Sequence, residues 1–594
     1  MLNSVGGATV SAPRPLVALA ALAVTVAVAA AGLPAAGAAG PPTDVLPEPA
    51  RGAAAVAALG DRLPAVAALN GITGRALRDL LLGDGTAWLD RSGRLYYVEP
   101  PAPAGTGETD AAAGAGPYPY DQTFTLHSRP GAQRTIYLDF TGHVVTGTAW
   151  NVGRQASATV EPYDTDGNPA SFSPAEMDVV QEVWQRVAED YAPFDVDVTT
   201  EEPPYEAINR NGSTDQVYGT RVVISPTSFY YSSCSCGGVA YVGVFDRTSN
   251  HAYYQPAFVF TRGVGNGAKN IVEAASHEAG HNLGLSHDGT ASTGYYSGHG
   301  AWAPIMGVGY SKAITQWSRG EYSGANNTQD DIAVMVGRGA PLRADDHGNT
   351  TGTATPLAAG TASASGVIGA RTDVDVFSVP AGAGSLSVSL GPAAAGANLD
   401  AKVELLDAAG AVIASADPAS GQTSAATAFG LGASLTATVP AGTSYVRVDG
   451  VGFGSPLTSG YSDYGSLGAY TLSVTSQTGG GGGTPPPEVQ TVRVQSIGLS
   501  ALAQPKNKSA VRARVVVSDT SGAVQPGTTV TGSFSGAVSG TVTGVAGSDG
   551  SVTLQSADFG GKRWSVTFTV TSLARAGATY SPGANVVGSA TISQ

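Results

Sequence analysis

The sequence predicts a multidomain α+β protein: a region of mixed sheet with helices, followed by two all-β sandwich domains. Three observations predict it. Strand-like and helix-like segments alternate between residues 124 and 340, the pattern of a sheet covered by helices. Short alternating β segments broken by Gly and Pro, almost without helical periodicity, fill 341–477 and read as a sandwich. Gly479 to Gly483 and Pro485 to Pro487 then form a linker over 478–488, flexible and then stiff, before a second Val- and Thr-alternating stretch at 489–594.

Composition bounds the function. A chain of 594 residues has room for about three to five folded units. Charged residues make up 13% and hydrophobic ones 42%, which suits packed domains with loop-rich joints. The net charge of −15 argues against a nucleic-acid partner, because phosphate binding needs clustered Lys and Arg. Cys234 and Cys236 are the only cysteines. Two cysteines cannot staple a chain of this length; they form either a short Cys-x-Cys bridge or free thiols, and two thiols alone make a poor zinc site.

At the N-terminus, Arg14 precedes an apolar run from Leu16 to Leu33, and Ala36–Gly37–Ala38 fits a cleavage site. This layout predicts a signal peptide over 1–38 and a secreted, extracellular product with no stable membrane anchor. No second apolar span is expected. Residues 39–123 read as a pro-region: Leu77, Leu80, Leu81 and Leu82 suggest a short helix, and the runs at 88–89 and 95–98 flank Ser92–Gly93 as a hairpin. The loose stretch from Pro100 to Pro119 is the expected processing site.

Within 124–340, residues 135–140 read as a strand. Ser173–Pro174–Ala175–Glu176 is a capping box with Pro at the first helical position. Val180, Val183, Trp184, Val187 and Tyr191 follow at helical spacing, and Pro193 ends that helix. Phe194, Val196 and Val198 alternate as a strand, further strands are expected at 220–225, 239–245 and 257–260, and a second helix at about 269–284.

That second helix carries the chemistry, in the run His277-Glu278-Ala279-Gly280-His281-Asn282-Leu283-Gly284-Leu285-Ser286-His287-Asp288. His277 and His281 are four apart and share one helix face. Gly284 permits the turn that brings His287 back as a third ligand. Three imidazoles leave a fourth position for water, as a catalytic zinc requires. Glu278, beside the first ligand, is placed to act as general base toward that water. Metal ligation is thus expected of His277, His281 and His287 and catalysis of Glu278, with no organic cofactor site. Ile305–Met306–Gly307 follows, with Met306 nineteen residues after His287, and reads as a turn that sets a Met beneath the histidines. Tyr310 is expected to pack, with contact to the metal as the alternative. His299 is expected to line the cleft. The other histidines (His127, His143, His251 and His347) lack ligand spacing.

These residues resemble the metzincin zinc metallopeptidases, and Asp288 directly after the third His resembles the reprolysin (adamalysin) branch in a bacterial, disulfide-poor form. The resemblance implies a metzincin-type catalytic domain over 124–340 and a zinc metalloendopeptidase acting on protein or peptide substrates. It also implies that substrate lies antiparallel to an edge strand, for which 239–245 is the candidate, and that Asp288 is structural. No Cys occurs in the pro-region, so a cysteine switch is excluded as the latency device of this zymogen. Residues 341–477 are similar to bacterial pre-peptidase C-terminal domains, on 344–349, 372–377, Asn398-Leu399-Asp400 and 461–470. Their spaced Asp residues suit structural calcium and equally suit turns. Asp164-Thr165-Asp166-Gly167-Asn168 reads as a turn. Residues 489–594 look like a bacterial immunoglobulin-like module. A rival reading is a secreted adhesion protein, with the β-domains holding a cell-wall or polymer surface and the zinc domain accessory.

Overall fold

The computed structural model describes residues 43–104, 116–226, 234–477, 490–504, 508–519, 522–561, 563–575 and 578–594. The expected signal peptide, the linker and residues 105–115 of the expected processing stretch lie outside the described residues. Contacts divide the chain into two units, Met1–Thr478 and Gly479–Gln594.

The first unit is built on an eight-stranded mixed sheet. Its order is Ala50–Arg51, Ala87–Leu89, Leu95–Val98, Gly238–Tyr241, Ala257–Phe260, Tyr218–Ser225, Arg134–Asp139 and Asp197–Thr199. The last four strands run parallel. Gly238–Tyr241 and the three before it pair antiparallel. Residues 257–260 read Ala-Phe-Val-Phe and are buried on both faces, the near-continuous apolar run of a covered central strand.

Two helices cover one face. Pro174–Asp190 starts as its capping box dictates: Ser173 Oγ accepts from Glu176 N at 3.3 Å and Glu176 Oε2 accepts from Ser173 N at 2.7 Å, a cap contributing about 1 kcal/mol. It packs Val180, Val183, Val187 and Tyr191 into one core with Ile271, Ala275, Ala279 and Leu283 of the helix Ala268–Asn282 and its end.

The N-terminal segment is no detached appendage. Its helices bury Ala55, Leu59, Val66, Ala67, Leu77 and Leu81 against the hairpin 87–98, and that hairpin extends the main sheet. By length and mean hydropathy Gly52–Leu69 is apolar enough to cross a membrane, which corrects the expectation of no second apolar span. Here Gly60, at φ 51°, interrupts the helix, and Ala55, Leu59, Val66 and Ala67 face the core while Leu69 is exposed.

Residues 355–476 form a five-stranded and a four-stranded sheet around Phe377, Leu386, Val388, Leu405, Val446 and Leu472. These sheets are joined to the helical region inside the same unit. Buried Asn398 donates to Asp190 Oδ1 at 2.8 Å, Gln316 donates to Asn398 O at 2.6 Å and Tyr464 OH to Asp330 Oδ1 at 2.8 Å. Trp302, Ile314 and Tyr322 share a cluster with Leu431 and Tyr461. The second unit pairs two four-stranded sheets around Val492, Val515, Phe534, Trp564 and Phe568.

Candidate metal centre

All fifteen residues of the helix Ala268–Asn282 are buried, among them Lys269, Asn270, Glu273, Ser276, His277, Glu278, His281 and Asn282. Burying so many polar groups is tolerable only when each finds a partner. Most do. Lys269 pairs with Glu273, Asn270 donates to Val264 O at 2.6 Å, Ser276 donates to Asp190 Oδ2 at 2.5 Å and Asn282 donates to Tyr241 O at 2.9 Å. Apart from Asn270 Oδ1, the buried side-chain atoms of this helix without a partner are His277 Nε2 and both Glu278 oxygens. The orphans therefore gather at one place.

The helix ends where the sequence requires. Gly284 sits at φ +97°, Leu285 N donates to Gly280 O at 3.0 Å, and Gly284 N donates to His281 O at 2.9 Å. This is the Schellman pair of hydrogen bonds, with glycine at the left-handed position. The reversal carries His287 back to the helix. Its ring centroid lies 5.3 Å from that of His277 and 4.9 Å from that of His281.

The outer nitrogens are committed. His277 Nδ1 faces Ile305 O at 2.9 Å, His281 Nδ1 faces Leu285 O at 2.8 Å and His287 Nδ1 faces Asp84 Oδ2 at 2.7 Å. Each partner is an acceptor, so each Nδ1 carries a proton, which leaves Nε2 as the nitrogen each neutral imidazole would offer to a metal. His281 Nε2 and His287 Nε2 stand 3.1 Å apart. Three imidazoles and a carboxylate that offer ligand atoms within 4.8 Å of one another are a donor set that fits a divalent ion such as zinc.

A fourth group completes the cluster: Glu99, at the end of the hairpin strand. Its Oε1 lies 3.0 Å from His287 Nε2 and 3.4 Å from His281 Nε2, and its Oε2 lies 3.8 Å from His277 Nε2. Ligand atoms of Glu99, His277, His281 and His287 all lie within 4.8 Å of one another. Burial pushes the His277 imidazole down to about 3, with His281 adding to the effect, and burial also lowers His281. Both are thereby held neutral, as ligands must be. Burial lowers His287 too, but the Glu99 charge and the bond to Asp84 outweigh it and lift the group to about 9. Burial and then the Glu99 charge raise Glu278 well above the ordinary carboxylate range. Glu99 itself feels burial upward, and the three imidazoles hold it well below that range.

Glu278 has room only because its neighbour is a glycine. A β-carbon on Gly238 would fall 1.9 Å from Glu278 Oε1. Met306 is fully buried and lies under the helix, its Sδ 2.8 Å from where a β-carbon on Gly280 would stand. The Met306 turn thus supports the helix from below while Ile305 O orients His277. Asp288 ties the same turn through its backbone: its N donates to Met306 O at 2.8 Å, and its O accepts from Tyr296 N at 2.7 Å. Burial raises the Asp288 carboxyl to about 7, against a bond from Ser318.

Residues 191–288 match the family model described as Metallo-peptidase family M12B Reprolysin-like. The chain is similar over that stretch to metzincin, reprolysin-like metallopeptidases, and the match implies a metallopeptidase hydrolase. It takes in His277, Glu278, His281 and His287 and leaves out Glu99. No curated protein matches. Among solved structures, the pre-peptidase C-terminal domain of a collagenase from Bacillus anthracis is 15% identical, with 22% of this chain and 99% of that chain covered and a TM-score of 0.15. A GH2 β-galacturonidase from Eisenbergiella tayi is 14% identical, covering 37% and 34% at a TM-score of 0.16. A β-galactosidase from Bacteroides fragilis is 10% identical, covering 40% and 32% at 0.16. The chain therefore spans about a third of the two glycosidase chains.

Some sequence expectations change and others hold. The strand expected at 239–245 ends at Tyr241, and in the full chain its outer side is occupied by Leu95–Val98 of the N-terminal segment. His299 does not line the cleft: its Nε2 donates to Gly460 O at 2.7 Å and its Nδ1 meets Tyr296 OH at 2.6 Å. Tyr310 packs against the main core and lines the cavity beside Glu99 and Glu278. Cys234 and Cys236 form the short bridge. Asp164 Oδ1 accepts from the backbone of Asp166, Gly167 and Asn168, a turn. Asp345, Asp373 and Asp375 bring carboxylate oxygens within 4.8 Å of one another.

The sequence reading missed Glu99, Asp84, Thr86 and Tyr295. Tyr295 OH donates to Glu99 Oε2 and reaches Thr86 Oγ1 at 3.0 Å, and its ring centroid lies 4.3 Å from that of His287. Their only sequence signal is an acid that closes an aromatic strand just before Pro100.

Proposed function

We propose that the chain is a secreted zinc-dependent endopeptidase that hydrolyses peptide bonds of extracellular proteins. The observation that carries this reading is the convergence of the three imidazoles of His277, His281 and His287 next in the chain to a buried carboxylate, Glu278, that has no hydrogen-bond partner. The family match over 191–288 supports it.

His277, His281 and His287 would hold the ion. When bound, zinc supplies a Lewis acid that polarises the scissile carbonyl and acidifies a water. The chain's own residues do the rest. Backbone carbonyls of Ile305 and Leu285 keep the imidazoles in one tautomer, so their Nε2 atoms stay ligating. Glu278 takes the proton of the attacking water and passes it to the departing amine nitrogen. Its dry surroundings raise its basicity, which helps that transfer. The Asp345, Asp373 and Asp375 cluster is a candidate for structural calcium, and the β-domains are candidates for holding a cell-wall or polymer surface.

The test is the activated enzyme carrying Glu278→Ala. Cleavage of unfolded protein should fall by about 100- to 10,000-fold while zinc content stays at the parent level. Full activity in that variant would sink the assignment.

A further inference from the structure

The N-terminal segment reaches the centre of the site, and it does so as a peptide would. Leu95–Val98 pairs antiparallel with Gly238–Tyr241, in the register Tyr96↔Tyr241, Tyr97↔Ala240 and Val98↔Val239. The ladder continues through Glu99, whose N donates to Gly238 O at 2.9 Å and whose O accepts from Gly237 N at 2.9 Å. Farther on, Ala102 N donates to Gly263 O at 3.1 Å. These are the hydrogen bonds an extended substrate would make by adding a strand to this edge. Both polar backbone groups of Glu99 are fixed, and its carboxylate is aimed among the three imidazoles.

Resting on the zinc-peptidase reading above, we propose that Glu99 is a fourth protein ligand of the ion and that residues 43–104 are a built-in occupant of the substrate groove. A catalytic zinc keeps one position open, whereas a site closed by four protein ligands has none for water. Glu99 closes that position. Tyr295 holds the Glu99 carboxylate, and two residues of the segment, Asp84 and Tyr97, fix the imidazoles it faces. Asp84 bonds His287 Nδ1 at 2.7 Å, Tyr295 donates to Glu99 Oε2, and the Tyr97 ring lies 4.3 Å from the His281 ring and 4.0 Å from the His287 ring, centroid to centroid. The segment has a core of its own, so it presents this strand pre-formed. Tethering also raises its effective concentration to about the millimolar range or above. With no cysteine in the segment, a carboxylate does the blocking. Activation then requires the segment to be cut from the chain and to leave the sheet.

The test uses the full chain carrying Glu278→Ala, with the segment still attached as checked by its mass, loaded with cobalt(II) in place of zinc. Acetohydroxamate is added while the visible spectrum is followed. The spectrum should not change at concentrations that shift it in chains also carrying Glu99→Gln or Glu99→Ala; the Gln variant keeps the side chain's shape should Ala disturb folding. Hydroxamate reaching cobalt equally in all three would overturn the role of Glu99 and leave the metal site standing. Failure of the full chain to bind cobalt would overturn both. With Glu278 in place, Glu99→Gln should shorten the lag before cleavage of a fluorogenic peptide at least tenfold; an unchanged lag counts against the inference.

Discussion

Gly238→Ala places one methyl group against the proposed general base. The new carbon would stand 1.9 Å from Glu278 Oε1, 2.7 Å from its Cδ and 2.8 Å from Phe258 O. Non-bonded carbon and oxygen keep about 3 Å or more apart, so roughly 1 Å must be found. Phe258 O belongs to a central strand and cannot yield, because Phe258 is paired with Val223 on one side and Val239 on the other. Glu278 must therefore leave its present position. Overpacking of this kind costs about 1–3 kcal/mol of stability, and a misplacement of about 1 Å costs on the order of 100-fold in rate. The assay compares kcat/KM of the activated enzymes on a fluorogenic peptide, with zinc content and circular dichroism measured on the same samples. The expected result is a fall of about 100-fold in kcat/KM with zinc content and secondary structure unchanged. A folded, zinc-loaded Gly238→Ala enzyme within threefold of the parent would refute the reasoning.

Three further outcomes follow from the same geometry. Met306→Ala empties a fully buried space under the active helix and should cost about 2–5 kcal/mol, read as a lower midpoint of thermal unfolding. Gly284→Ala puts a β-carbon at φ +97°, 3.1 Å from Arg338 Cγ; it should cost about 1–2 kcal/mol and weaken zinc binding by displacing His287, measured by competition with a chromophoric chelator. Glu189 is lifted from 4.5 to about 8, by burial first and by Asp190 in addition. The folded chain therefore holds a proton that the unfolded chain releases near 4.5, so stability is greatest at the acid end of that window and declines as pH rises through it, by at most about 1.4 kcal/mol per unit. Glu189→Gln should flatten the decline in unfolding midpoint between pH 5 and 8, and an unchanged slope would contradict the assignment.

What the sequence disclosed and what it withheld divide along a physical line. The helix expected at about 269–284 runs from Ala268 to Asn282, the strand expected at 257–260 has those bounds, and the capping box at Ser173 starts its helix. Such features are written within one or two turns of chain. The same holds for His277, Glu278, His281, Gly284 and His287, whose meeting needs only helical spacing and one reversal. Glu99, Asp84 and Tyr295 come to the cluster through strand pairing and long loops, and no local period announces that. Asn398, legible in the sequence only as part of the motif Asn398-Leu399-Asp400, serves as a buried bridge to Asp190. That the expected edge at 239–245 is covered in the full chain was hidden for the same reason, because the strand that covers it lies far upstream.

The central claim is that three imidazoles hold one zinc ion. Metal analysis of the zinc-replete full chain and of its His277→Ala, His281→Ala and His287→Ala triple variant tests it most directly. The account predicts one tightly held zinc per parent chain and none in a variant that keeps its sheet content. Zinc absent from the parent, or retained in full by the variant, would contradict it.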